Sequence, residues 1–558
     1  MRESLARAGA AVILLAALAG CAGIPTTGGV VEGRALTETD SGDFDFFPLA
    51  PAVGADQEDI LRGFVAAFTG SAGDYARARE FLSSDFADEW SPRAGVTVRG
   101  ALERYSQVAP DTIEYIVDAD ATVDASGAYQ RNDTPVQRTL LYQFVQEGGE
   151  WRISLAPDGI VLSDGLFRSV FDQQVLYFLD PTSQHLVPDL RYFLGGTAAL
   201  RIVSSLLAGP PPWLQGAVRT AFPDGTQLSS PTIDVESGTA TVDLSADALV
   251  ASQTDRRLMQ QQLDASLVTV TTIRRVAITV AGSPLAVQEG EATLVAEPAV
   301  DSRPIVFADG EFGYLGASSI STFGQLSSRV VDTAPTAATV SDTQSAAAVL
   351  SPAGVSIVRT GDAGVVLLDD RPSLLPPSLD EYDFVWSATS APESVTVFGA
   401  DGSPSSLPTG FPSDSLVRSF EVSRDGARVA FLLDAVGGPR LVVRAIVRDA
   451  NRGQVPVSLG TPVVDTTVRG GSTAIDATWV DNTRVATLST SGEVATATLF
   501  EVGGEISDLG RPGPALAVVG GNGPTDLRAL GADGTILGRS GNGWADQNER
   551  VTFLATQR

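Results

Sequence analysis

The spacing of hydrophobic positions changes several times along the chain, and each change marks a different kind of structure. Residues 8–19 are continuously apolar behind Arg2 and Arg7. A run this short does not span a bilayer, which takes about 20 apolar residues. It reads as the core of a secretory signal peptide, residues 1–20. Residues 21–50 then lose all periodicity. Gly28-Gly29, Ser41-Gly42 and Pro48 punctuate a stretch rich in Gly, Thr and Asp, which reads as a tether. Phe44, Phe46 and Phe47 are its apolar exceptions, and the expectation is that they dock on the first folded domain.

Residues 51–165 read as an α+β domain. Ile60, Leu61, Phe64, Val65 and Phe68 recur at helical spacing behind an acidic first turn of Asp56, Glu58 and Asp59. A second short helix is predicted over 75–82, after the Gly73-Asp74 break. Strands follow. The runs 140–145 and 151–155 flank Gln146-Glu147-Gly148-Gly149-Glu150, a hairpin signal. Trp90 and Trp151 are expected in the core.

Residues 166–298 read as an α/β unit. Strands are predicted over 175–179, 240–245 and 276–280, with helices over 197–208 and 257–267. Leu200, Val203, Leu206 and Leu207 share one side of the first helix. It stops at Gly209-Pro210-Pro211-Pro212, because proline has no N–H and disfavours helix in the residue before it.

From 299 to 558 the helical patterns fade. Short β-rich runs alternate with Asp-Gly, Asn-Gly and Gly-Gly turns, as at 346–350, 355–358, 429–433 and 485–488. Repeats of about 40–50 residues fit a β-propeller of five to seven blades. An extended sandwich is the rival arrangement. Cuts near residues 48 and 300 should separate the parts.

Composition narrows the chemistry. A formal net charge of −29 argues against nucleic acid and anionic headgroups as partners. All 38 basic residues are arginine, so lysine Schiff-base chemistry is excluded. With one histidine, His185, and one cysteine, Cys21, the usual zinc site cannot be assembled. His185 sits in Thr182-Ser183-Gln184-His185-Leu186, which reads as a solvated turn entering a strand. No nucleophile elbow or phosphate loop is present; Gly520-Gly521-Asn522-Gly523 precedes Pro524 and reads as a loop between blades. Asp118, Asp120 and Asp124 alternate as solvated strand positions do, with a calcium site as the weaker reading. Asp369-Asp370 reads as a turn, and Arg256-Arg257 and Arg274-Arg275 are the densest basic spots. The expectation is therefore no catalytic residue, no metal and no cofactor.

Several segments resemble known families. Leu18-Ala19-Gly20-Cys21 resembles the site cut by lipoprotein signal peptidase, which implies S-diacylglyceryl modification of Cys21, with N-acylation left open. Residues 51–165 resemble the cone-like fold of nuclear transport factor 2 relatives. The Leu206-Leu207-Ala208-Gly209-Pro210-Pro211 helix end, the Phe222-Pro223-Asp224-Gly225-Thr226 turn and Val242-Asp243-Leu244-Ser245 resemble the GerMN domain over 166–298. Residues 420–431, turning at Asp425-Gly426, resemble a blade of TolB-like propellers, and 348–357 reads as a degenerate copy. In this order the parts resemble the actinobacterial lipoprotein LpqB family. That resemblance implies a lipid-anchored protein on the extracytoplasmic face of the cell membrane. It also implies a partner, the extracellular region of a sensor histidine kinase of the MtrB type, with effects on cell-wall homeostasis and division. The alternative is an envelope glycan-binding protein or a hydrolase built from two carboxylates.

Overall fold

A computed structural model describes residues 48–288, 290, 294–317 and 319–558. The signal segment, Cys21 and the phenylalanines of the tether lie outside the described residues. Everything from residue 48 onward belongs to one compact unit.

The first helix, Gln57–Ala66, starts where expected because Asp56 caps it: its carboxylate accepts the Asp59 N–H at 2.9 Å. Glu58 and Asp59 in the first turn complement the positive end of the helix dipole. Ile60, Leu61 and Phe64 are buried against a five-stranded sheet. The strands are β1 (Gly95–Ala109), β2 (Thr112–Asp124), β3 (Tyr129–Glu147), β4 (Glu150–Leu155) and β5 (Ile160–Ser163), in the order β4-β3-β2-β1-β5. Only β1 and β5 run parallel. Trp90 packs on Phe64 and Phe68 inside this layer, and Trp151 packs on its margin. The second helix, Ala72–Arg79, ends three residues before the expected Leu82. The reason is that the chain there joins the sheet: Leu82 bridges Ile153, and the Ser83 N–H donates to the Ile153 carbonyl.

Strands β6 (Phe171–Leu179) and β7 (Leu186–Leu194) form the hairpin that opens the next unit. The helix Ala198–Ala208 follows and ends at Gly209, whose φ of 89° suits glycine. Its buried stripe is Ala198, Ile202, Val203 and Leu206, so Ile202 replaces Leu200 among the expected inward positions. Strands β8 (Asp234–Glu236), β9 (Thr239–Leu244), β10 (Arg275–Val280) and β11 (Ser283–Pro284) make a sheet in the order β11-β10-β9-β8. The parallel pair β9 and β10 is joined through the helix Gln253–Leu267, capped by Ser252 accepting the Asp255 N–H.

The remaining strands form a β-propeller of six blades among the described residues. Four-stranded sheets span residues 378–408, 416–467, 473–513 and 515–550, and the four strands of 337–369, the first blade, are one half of an eight-stranded sheet whose other half is the sixth blade. The sixth is composite. Its innermost strand is Phe553–Gln557, which pairs with Ile305–Ala308, and Glu311–Leu315 and Ile320–Thr322 complete it. Phe553–Gln557 also pairs in parallel with Ala337–Val340 of the first blade, closing the ring.

The repeat at 348–357 is not the equivalent of 420–431. Asp425-Gly426 joins the first and second strands of its blade, whereas Pro352-Ala353 joins the second and third. The equivalent turn in the first blade is Ser341-Asp342-Thr343-Gln344-Ser345. Likewise, Gly520–Gly523 lies within the fifth blade, between its first two strands, not between blades.

Polar side chains tie several innermost strands to the next blade. Thr339 donates to the Pro377 carbonyl, Ser378 accepts the Val422 N–H, and Thr478 accepts the Gly520 N–H. Side chains thus fasten these blades near the axis, while the sixth and first blades are joined there by a backbone ladder.

Candidate functional site

The most elaborate chemistry in the molecule lies where the α/β unit seats on the propeller. All nine residues of β7 are buried, including Asp189 and Arg191. One apolar core runs from Leu176, Val187 and Met259 to Ala430, Val443, Trp479 and Phe500 of the third and fourth blades. The change of pattern near residue 300 is therefore a change of topology, not a gap between bodies.

The seam is organised by aspartates in the turns after the innermost strands. Asp380, in the second blade, accepts N–H groups of Tyr382 and Phe384 at 3.0 and 2.9 Å, and the Trp386 indole at 2.8 Å. Arg448, from the third blade, adds an ion pair at 2.7 Å, with both side chains at or below 1% exposure. Its guanidinium lies 4.3 Å from the Tyr382 ring centroid and donates to the Gly426 carbonyl. Charge, ring and backbone thus lock two blades together. In the third blade Asp425 pairs with Arg428. Arg428 reaches Asn482 at 2.6 Å, and Asn482 donates to the carbonyls of Leu186 and Ala296 in the α/β unit.

His185 belongs to this seam and is buried, not solvated as its turn setting suggested. Asp180 organises the turn by accepting the N–H groups of Thr182, Gln184 and His185. Tyr382 of the propeller donates to the same carboxylate at 2.9 Å. Burial opposes ionisation of Asp180, but these donors hold its carboxyl below the usual range. The Leu186 N–H then pairs with Val295, which helps cover the turn. Asp189 has the opposite balance. Burial raises its pKa although Arg191 lies at 2.7 Å and the Trp213 indole at 2.9 Å.

A second seam joins the N-terminal sheet to the third blade. Asp133 on β3 accepts from Arg440 at 3.0 Å, from both the N–H and hydroxyl of Thr467, and from the Thr466 hydroxyl. Burial works against ionisation here too, yet the donors hold the carboxyl at about 2. Beside it opens a polar cleft of about 390 Å³, lined by Tyr129, Arg131, Asp465, Phe500 and Glu501 among others.

Two carboxylates lie on neighbouring innermost strands. Burial pushes Glu421 up to about 8 and Asp476 up to about 6. A protonated and an ionised carboxyl in proximity are the ingredients of acid/base catalysis. Both are also structural fasteners. Asp476 accepts from Ser419 at 2.7 Å and from the Val518 N–H at 2.9 Å, bridging three blades. Glu421 accepts the Trp479 N–H at 3.3 Å. Sequence reasoning passed over these two. The available signal was a carboxylate at an inward position of a blade's first strand.

The other candidates scatter. Asp124 caps its own turn through Ser126 and Ala128. Among the described residues no three of His, Cys, Asp and Glu come together as a metal would need. Asp369 is buried, paired with Arg371 and bonded to Ser387. Arg256 donates to the carbonyls of Leu249 and Ala251. Arg274 and Arg275 are exposed at the start of β10.

Comparison with known proteins identifies the parts. A family profile described as "Lipoprotein LpqB, N-terminal domain" matches residues 50–168, and one described as "Lipoprotein LpqB beta-propeller domain" matches 321–552. Together they span more than half of the chain. The chain belongs to the LpqB lipoprotein family. A third profile, "Sporulation and spore germination", matches 175–286, the GerMN-like unit. A Lipoprotein LpqB from Cutibacterium acnes is 28% identical over 518 residues, covering 87% of this chain and 86% of the relative. One from Mycobacterium bovis is 25% identical over 600 residues, covering 98% and 97%. Among solved structures, the first GerMN domain of the sporulation protein GerM from Bacillus subtilis shares 19% identity. It covers 22% of this chain and 97% of that one, with a TM-score of 0.19. The LpqB propeller profile begins after Ile305–Ala308 and Glu311–Leu315, although both strands complete the sixth blade.

Proposed function

We propose that this LpqB lipoprotein is held on the extracytoplasmic face of the cell membrane by lipid on Cys21. In this reading its folded body binds the extracellular region of a sensor histidine kinase of the MtrB type and modulates that kinase without catalysing a reaction. Cell-wall homeostasis and division are the processes affected. No helix among the described residues is long and apolar enough to cross a membrane; in this reading the lipid is the anchor. The observation that supports binding over catalysis is the construction of the seam. Asp380, Asp425 and Asn482, buried polar groups of the propeller, are spent on holding the GerMN-like unit and the blades together. What remains for function is the outer surface of a single body with a strong negative charge. Lipid confinement raises the effective concentration of a weak partner, and a body of net charge −29 favours a basic one.

The test is binding of the purified protein to the sensor's extracellular region across an ionic-strength series, alongside phosphorylation of the cognate response regulator in cells lacking the lipoprotein. Binding that weakens as salt rises, with altered phosphorylation, supports the reading. A second reading, an envelope glycan-binding protein or carboxylate-based hydrolase, draws on Glu421 and Asp476 on their neighbouring innermost strands. Turnover of a cell-wall glycan by the purified protein, lost in Glu421→Gln, together with absent sensor binding at low salt, would replace the first reading by the second.

A further inference from the structure

The propeller presents six outermost strands, and an outermost strand is an open row of backbone donors and acceptors that another chain can extend. Five are blunted in recognisable ways. Pro404–Pro408 begins and ends in proline. Val455–Thr467 contains Pro456 and Pro462 and slips register three times against its neighbour. Ile506–Gly513 contains Asp508 and Pro512 and slips twice. Gly543–Arg550 carries Asp546, Glu549 and Arg550. Ile320–Thr322 is short and its exposed residues, Ser321 and Thr322, are polar.

The outermost strand of the first blade, Val365–Asp369, has none of these features over its first three residues. Val365, Val366 and Leu367 are 45%, 43% and 51% exposed. They pair in plain antiparallel register with Val358, Ile357 and Ser356. On the other side no strand pairs with them among the described residues. Three consecutive exposed aliphatic residues on an unprotected edge invite aggregation, and proteins ordinarily guard against it. Their retention here, beside five guarded edges, marks a surface built to be covered.

The surrounding charges say what covers it. Asp362 lies in the turn before the strand and Asp370 directly after it; both are exposed and neither has an ion-pair partner among the described residues. Arg371 is neutralised by Asp369 at 2.7 Å. Arg359 belongs to the neighbouring strand, one step further in. The edge is thus an apolar strip with a carboxylate at each end.

We propose that Val365–Asp369 is a strand-addition site, which takes an extended segment of a partner protein with alternating apolar residues and basic residues at its ends. Main-chain hydrogen bonds would supply affinity, while Val366 and Leu367, pointing to opposite faces of the blade, would contact the incoming side chains. Asp362 and Asp370 set the charge preference. The site does not depend on the partner being a kinase, so it can fail while the signalling reading stands, and the reverse.

The test uses the whole chain and a fluorescent peptide, Arg-Thr-Val-Thr-Val-Thr-Val-Thr-Arg, titrated by anisotropy at low and high salt. Hydrogen exchange with and without peptide should show slowed amides at 365–368. Val366→Lys and Leu367→Lys should each weaken binding about tenfold, because a lysine on an open edge opposes strand addition and repels the basic ends. Asp362→Asn with Asp370→Asn should weaken it about threefold at low salt and leave the high-salt affinity unchanged. These side chains are exposed, so melting temperatures should match the parent. Protection elsewhere, or lysine variants that bind normally, would overturn the proposal. So would a concentration-dependent dimer abolished by Val366→Lys in a chain that ignores the peptide, which would assign the edge to a second copy.

Discussion

The Tyr382 hydroxyl donates to the Asp180 carboxylate at 2.9 Å, joining a propeller turn to the hairpin turn that holds His185. The bond spans 202 residues of sequence and links two parts with unrelated folds. Asp180 keeps its other donors when the hydroxyl is removed. Tyr382→Phe should therefore cost about 1.5–3 kcal/mol, the range for a hydrogen bond to a charged group. The loss should appear as faster amide exchange over 182–186, with little change in the N-terminal sheet. Uniform loosening of all three parts would show that the bond does not act locally.

Asp380 and Arg448 provide a sharper contrast. Removing one member of a buried ion pair strands the other, at a cost of about 3–5 kcal/mol. Asp380→Ala should thus lower the melting temperature strongly. Asp380→Leu combined with Arg448→Met should recover much of the loss, since an apolar pair leaves no uncompensated charge. A double variant as unstable as the single one would place the damage in the lost bonds to Tyr382, Phe384 and Trp386.

The innermost strands and the outer seam should respond to pH in opposite senses. Glu421 is raised to about 8 and Asp476 to about 6, mainly by burial. A carboxyl with a higher pKa folded than unfolded binds more protons in the native state. Its contribution is therefore greatest below its unfolded value, about 4, and declines as pH climbs to the folded value. The melting temperature should fall between pH 5 and pH 8, and Glu421→Gln should flatten much of that slope.

Asp133 has the reverse sign. Held at about 2, it stabilises fully above its unfolded value of about 4, and the contribution is lost as pH drops toward 2. Hydrogen exchange around Asp133 on β3 should accelerate over that acidic window. Asp133→Ala should show the same acceleration at neutral pH.

Cys21→Ala should release the protein from membranes if lipid on this residue is the anchor. One acyl chain of myristoyl size binds with only about 10⁴ M⁻¹, whereas two chains hold stably. Fractionation and mass spectrometry of the mature N-terminus decide the matter. A variant that stays membrane-bound would require another anchor.

Local signals in the sequence were reliable where a residue's environment is made by its neighbours. Asp56 and its acidic neighbours open the first helix as expected, and the Gly148-Gly149 turn joins β3 to β4, whereas the helix expected over 257–267 begins earlier, at Gln253 behind its cap Ser252. The domain types and the Asp-Gly blade turn were legible for the same reason. His185 was not, because its cover comes from a turn fixed by Tyr382 and from Val295. The blade repeat at 348–357 matches the wrong turn because strand–turn–strand patterns occur three times within a four-stranded blade. Only the pairing partners distinguish an inner turn from a middle one. Glu421 and Asp476 carry no local signal that sets them apart as a pair, and only closure of the ring brings their innermost strands side by side.

That closure also imposes an order of events. Phe553–Gln557 pairs with Ile305–Ala308 on one side and Ala337–Val340 on the other, and it is synthesised after every other strand of the ring. Until it arrives, the circle lacks its clasp and two blades have unsatisfied edges. The GerMN-like unit, by contrast, is complete some 250 residues earlier and is available as a template on which the third and fourth blades can assemble. A nascent chain therefore has its foundation before its keystone, and a variant that weakens the Phe553–Gln557 strand should leave a protein with its middle built and its circle open.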